Sequence, residues 1–156
     1  DTLQSLGDNV YVKIPITTTQ GEPCCPLVSR LSNSGIKVNV TAVMTYSQID
    51  DALRCLGPTK AVVSIFAGRI ADTGRNPAPF IEYALGRRVD PRHEILWASP
   101  RQVMDVYTAN VLGCDIITCT PEIIAKLKLD GKSLVEYSRE TVKMFYDDAK
   151  AAGYTL

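Results

Sequence analysis

Lys13 stands in the run Asn9-Val10-Tyr11-Val12-Lys13-Ile14-Pro15, whose β-branched and aromatic residues predict a strand. A lysine there needs a physical reason, because a parallel strand covered on both faces is nearly continuous in Val, Ile and Leu. Alternation sends Val10, Val12 and Ile14 to one face and Tyr11 and Lys13 to the other. An amine held away from water on that second face becomes a nucleophile towards carbonyl carbon. The competing reading carries the lysine out of the strand end, just before Pro15, into solvent. Asn39 and Thr41 alternate along a second run, KVNVTAV at 37–43, so they share a face and form a polar cluster with Lys13. A hydroxyl there can hold a catalytic water; polar residues at a plain strand end would look the same.

A second group could hold an oxyanion. Arg69 follows the run AVVSIF through Ala67 and Gly68, which let the chain turn tightly at the strand mouth. Arg101 follows Ser99 at the start of a helical segment. With Ser64, Ser99 and nearby helix N-terminal amides, two guanidinium forks would make a phosphate site. The ordinary alternative pairs either arginine with Asp72, Glu94 or Asp105 on the surface. His93, Cys114 and Cys119 are given no chemical role. TTTQGEP at 17–23 and ADTGRNP at 71–77 are not glycine-rich phosphate loops. The cysteines lack metal-ligand spacing, so no metal is expected.

The elements that must position these residues alternate along the chain. Strands are predicted at 9–15, 37–43, 61–66, 94–99 and 115–120, and helices at 24–33, 47–56, 77–86, 101–112, 121–129 and 133–152. Strands separated by helices of this length imply right-handed crossovers, a mainly parallel sheet and an α/β fold. Polar groups recur at the end of strand after strand, as in a (β/α)8 TIM barrel, whereas a doubly wound sheet gathers its chemistry at one switch point. About five of the eight β/α units are present, so residues 1–156 are expected to form a single domain, a partial barrel lacking its N-terminal strands.

Bulk properties narrow the partners. The chain has 156 residues, 46% hydrophobic and 22% charged, enough for one buried core. Seventeen basic and seventeen acidic side chains cancel, which favours neither a nucleic acid nor a membrane surface. The five cysteines suggest reduced, buried thiols. No apolar stretch approaches the roughly 20 residues a bilayer needs, and the N-terminus lacks the pattern of a secretion signal, so a cytoplasmic location is expected.

VYVKIPITTTQGE followed by SGIKVNVTAV resembles the transaldolase family's signature, a strand-borne lysine followed by Pro, Thr and Gly. SIFAGRIADTG is similar to the family's Ser-Pro-Phe-Val-Gly-Arg segment, WASPR to Ala-Ser-Phe-Arg, and GCDIITCTPEIIAKL to the segment after it. The resemblance runs in register through a final helix that in the family lies across the barrel mouth. It implies catalytic roles for Lys13, which forms an imine, and Thr41. It implies that Asn39 lines the site and that Ser64, Arg69, Ser99 and Arg101 hold the substrate phosphate. The implied reaction transfers a dihydroxyacetone unit from a ketose phosphate to an aldose phosphate, with no metal or organic cofactor and with a homo-oligomer as the common assembly. Simple cleavage by a fructose 6-phosphate aldolase-like enzyme, and a non-catalytic sugar-phosphate-binding α/β unit, are the alternatives. Pro100, Ile65 and Ala67 depart from the family's residues, and its aspartate, asparagine and glutamate from earlier strands have no counterparts in this chain.

Overall fold

Runs rich in Val and Ile become strands because a β-branched side chain is stiff at χ1 and packs well on a pleated surface. The computed structural model describes residues 2–154. Its strands are β1 (Val12–Pro15), β2 (Val38–Val43), β3 (Ala61–Ile65), β4 (His93–Trp97) and β5 (Ile116–Ile117). They pair in parallel and in chain order within one sheet, so β1 and β5 form its edges. The helices are α1 (Cys25–Asn33), α2 (Tyr46–Cys55), α3 (Ala67–Asp72), α4 (Ala78–Arg87), α5 (Val103–Leu112), α6 (Pro121–Lys126) and α7 (Leu134–Ala151).

One face of the sheet carries Ile14, Val38, Val40, Val63, Ile65, Ile95 and Trp97 into a core completed by Val28, Ile49, Ile81 and Ala109 of the helices. Full burial of each aliphatic side chain there contributes about 1.5–3 kcal/mol. The other face holds a smaller apolar group, Val62, Leu96 and Ala98 with Tyr11, Phe66 and Ile116. The helices pack side by side, α1 on α2, α2 on α4 and α4 on α5. A doubly wound sheet would reverse its strand order and take helices on both faces. Here the order never reverses, which is the winding of a (β/α)8 barrel, and five of its units are present.

Where the elements differ from the sequence expectation, local hydrogen bonds account for it. β1 starts at Val12 rather than Asn9 because the Val10 amide turns back to the Gly7 carbonyl, and the first ladder bond runs from the Val12 amide to Lys37. β5 shrinks from 115–120 to two residues. Asp115 accepts the Ile95 amide at 2.8 Å and Cys114 donates its thiol to the Ile95 carbonyl at 3.3 Å, so side chains take the β4 groups a longer strand would have used. The short α3 was not expected. α2 begins with a capping box: Thr45 Oγ1 accepts the Gln48 amide, and Gln48 Oε1 accepts the amides of Met44 and Thr45. α7 contains no buried residue, and Leu134, Val142 and Phe145 on it are exposed. No helix among the described residues is long and apolar enough to cross a membrane.

Candidate active site

Lys13 projects from β1 on the face away from the helices, and Asn39 of β2 is its neighbour in register. Lys13 is exposed there and makes no hydrogen bond or ion pair with the described residues. The five strands form an open arc, so they do not supply the desolvation expected around the amine. Two residues further along, Thr41 pairs with Pro15, and its hydroxyl is buried without a hydrogen-bond partner. A buried hydroxyl normally finds a partner. This one is left without a partner among the described residues, on the strand next to that of Lys13.

Ser64 was expected at the phosphate. It is buried, and its hydroxyl donates to Asn39 Oδ1 at 2.7 Å, which places it with the amine and fixes how Asn39 presents its amide. The residue after Thr41, Ala42, is in the left-handed region (φ 62°), where the β2–β3 register shifts between Val40 and Val43. A non-glycine residue in that conformation costs about 1–2 kcal/mol. Such an irregularity re-aims side chains at a strand end.

The arginines come from neighbouring strand mouths. A Cβ on Gly68 would lie 1.6 Å from the Ser99 carbonyl oxygen, so only glycine lets the turns after β3 and β4 touch. The Gly68 amide donates to Ala98 across that contact. Ser99 is also left-handed (φ 57°). Neither alanine nor serine signals a positive φ, so sequence reasoning had nothing by which to find Ala42 or Ser99.

Arg101 donates from Nε and Nη2 to the two oxygens of Asp72 at 3.1 and 2.6 Å, and that fork pushes its pKa up. The surface-pair alternative thus describes Arg101 in this arrangement. Arg69 is exposed and has no ion-pair partner among the described residues. Glu94, facing the same side of the sheet as Leu96, pairs with neither arginine. The amides expected to help a phosphate are taken: Asp105 Oδ2 accepts those of Arg101 and Gln102 at 2.6 and 3.2 Å.

Two of the residues given no chemistry, His93 and Cys114, have hydrogen-bond partners in the structure. His93 is buried at the start of β4, with Nε2 2.9 Å from the Gly57 carbonyl oxygen. All five cysteines are free and half-buried rather than fully buried. Among the described residues no cluster of His, Cys, Asp and Glu could hold a metal ion.

The arrangement comprises an exposed amine beside an oriented amide and an unpartnered hydroxyl, with two guanidinium groups at adjacent strand mouths. It is suited to covalent capture of a carbonyl in a molecule with an anionic end. Residues 1–156 match the family model described as transaldolase/fructose-6-phosphate aldolase. The chain is 35% identical over 128 residues to a "Probable transaldolase" of Nitrosopumilus maritimus, covering 80% of this chain and 54% of that protein. Similar proteins of the same description occur in Brucella anthropi (32% over 146 residues, 90% and 64%) and Erythrobacter litoralis (33% over 131 residues, 81% and 56%). The chain thus spans between about half and two thirds of the length of these relatives.

Proposed function

The chain belongs to the transaldolase/fructose-6-phosphate aldolase family, and on that premise we propose that Lys13 forms a Schiff base with the ketone of a sugar phosphate. The observation that supports this most is the pairing of Lys13 with Asn39, beside a Thr41 hydroxyl that is buried and unpartnered. The free amine adds to the C2 carbonyl of a donor such as fructose 6-phosphate, and loss of water leaves an imine. As the C3–C4 bond breaks, its electrons pass to the imine, and C4 leaves as the carbonyl of an aldose phosphate once its hydroxyl proton is lost. The enamine that remains adds to the carbonyl of an acceptor aldose phosphate. Water then hydrolyses the new imine and frees Lys13.

Thr41 orients the water that enters and leaves, and Asn39, steadied by Ser64, donates to a substrate hydroxyl. Arg69, Ser99 and Arg101 receive the phosphate, with Arg101 exchanging the Asp72 carboxylate for it. No step calls for a metal or an organic cofactor. In this reading the remaining strands of the barrel pack against the β1 and β5 edges and close the lumen over Lys13, whether from the same polypeptide or a second chain. The enzyme works in the cytoplasm on sugar phosphates.

The exposure of Lys13 favours a second reading, in which the arc binds sugar phosphates without turning them over. Incubation with fructose 6-phosphate, borohydride reduction and peptide mass spectrometry separate the two. A reduced adduct on Lys13 is expected, and a folded chain that carries none rules out the Schiff base. With the adduct established, release of free dihydroxyacetone in the absence of acceptor distinguishes cleavage from transfer.

A further inference from the structure

Behind the sheet, away from the lumen face, two cysteines from different helices meet. Cys25 opens α1 and Cys55 closes α2. The Cys25 thiol donates to the Asp51 carbonyl at 3.7 Å, the carbonyl that in an α-helix accepts the amide of residue 55. Cys25 therefore lies against the backbone of Cys55. The Cys55 thiol donates one residue further on, to the Ala52 carbonyl at 3.3 Å. Burial, followed by the charge and hydrogen bond of the adjacent Cys25 sulfur, pushes the Cys55 thiol up. Both cysteines line one cleft of about 390 Å³, with Pro23, Pro26, Ser29 and Arg54 on its walls, so a small reagent can reach them.

We propose that Cys25 and Cys55 are a thiol–disulfide pair, which a low-molecular-weight disulfide oxidises to an intramolecular bond tying α1 to α2. The Cys25 thiolate attacks one sulfur of the reagent and expels the other as a thiolate, leaving a mixed disulfide on Cys25. Cys55 acts second, because burial holds its thiol protonated. It gives its proton to solvent, attacks the Cys25 sulfur and expels the second reagent thiolate. Two protein thiols and one small disulfide become one protein disulfide and two small thiols, and two electrons pass to the reagent. Cys24 is a poorer partner for Cys25, since a bridge between adjacent residues bends the peptide between them. The Cys114 thiol is held by the Ile95 and Ile116 carbonyls. α1 and α2 both pack against β2, the strand of Asn39 and Thr41, so the bond stiffens what lies behind that strand without touching its polar face. The inference is independent of the reaction proposed above.

The test treats the folded chain with glutathione disulfide, blocks remaining thiols with N-ethylmaleimide and maps tryptic peptides by mass spectrometry. Cys24 and Cys25 share the peptide 14–30, and Cys55 lies alone in 55–60. A cross-link between those two peptides is expected, and Cys24→Ser should retain it. Cys55→Ser, with a native circular dichroism spectrum, should instead accumulate glutathione on Cys25. The proposal is overturned by a Cys24–Cys25 bond or an intermolecular bond as the main product. It is equally overturned if both thiols stay free at a reagent excess that oxidises the urea-unfolded chain.

Discussion

The helix-facing and lumen-facing sides of the sheet are built from alternate residues of the same segments, yet they differ in chemistry and exposure. Val38, Val40, Val63, Ile65 and Ile95 are fully buried beneath the helices. On the opposite side Lys13 is exposed, Asn39 and Thr41 are half-buried, and Ser64 is buried only with its hydroxyl bonded to Asn39. The apolar side carries most of the stability through area removed from water, which leaves the other free to hold groups that a close-packed core would exclude. A β strand divides stability from chemistry at every second residue, so the two functions are separable by mutation.

The largest effect should come from the polar side. Lys13→Ala is expected to abolish sugar-adduct trapping and any turnover while changing unfolding free energy by no more than about 0.5 kcal/mol, because an exposed side chain is removed. Mapping of borohydride-reduced adducts and urea titration check both halves, and an adduct on another lysine would break the assignment. Ile65→Ala on the helix side should do the reverse, costing about 2–5 kcal/mol of stability through a cavity. Urea unfolding of that variant beside Lys13→Ala measures how separable the faces are.

Gly68→Ala tests the contact between the turns after β3 and β4. Its new methyl would meet the Ser99 carbonyl, so a loss of about 1–3 kcal/mol is expected from overpacking. Weaker sugar-phosphate binding should accompany it, read by calorimetric titration. Ser64→Ala removes the donor that fixes Asn39 and should cost about 1 kcal/mol. A larger fall in adduct yield than in stability would show that its role is to position Asn39.

The smallest effect belongs to the outer helix layer. Hydrogen bonds from Tyr83 and Arg87 hold the Asp50 carboxyl below its ordinary value of 3.8. A depressed carboxylate pKa adds stability that is present above the unfolded value and lost as pH falls through the folded one. Wild type should therefore exceed Asp50→Asn slightly in melting temperature at neutral pH, and the gap should close as pH drops below about 4.

Strand alternation and the order of strands and helices were legible from residue types because both are local, with a period of two in strands and 3.6 in helices. The barrel-type α/β reading rested on that pattern and on the transaldolase-like segments, and the observed strand order and the family match agree with it. The partners of the arginines were less legible. Asp72, Glu94 and Asp105 were equal candidates, and only the packing of the turn after β4 over Gly68 brings Arg101 onto Asp72. β5 was overestimated because a side chain can satisfy a backbone amide as well as a carbonyl can, and apolar patterning does not register that competition.

The sequence by itself determined which segments are strands, which of their faces is apolar, and that a lysine, an asparagine and a threonine share the polar one. Those properties follow from side-chain chemistry and a short repeat. Tertiary structure alone decided that Ser64 serves Asn39, that Ala42 and Ser99 are left-handed, and that Cys25 meets Cys55. Each depends on how residues distant in the chain are brought together, or on strain that the surrounding packing sustains, and a local pattern specifies neither.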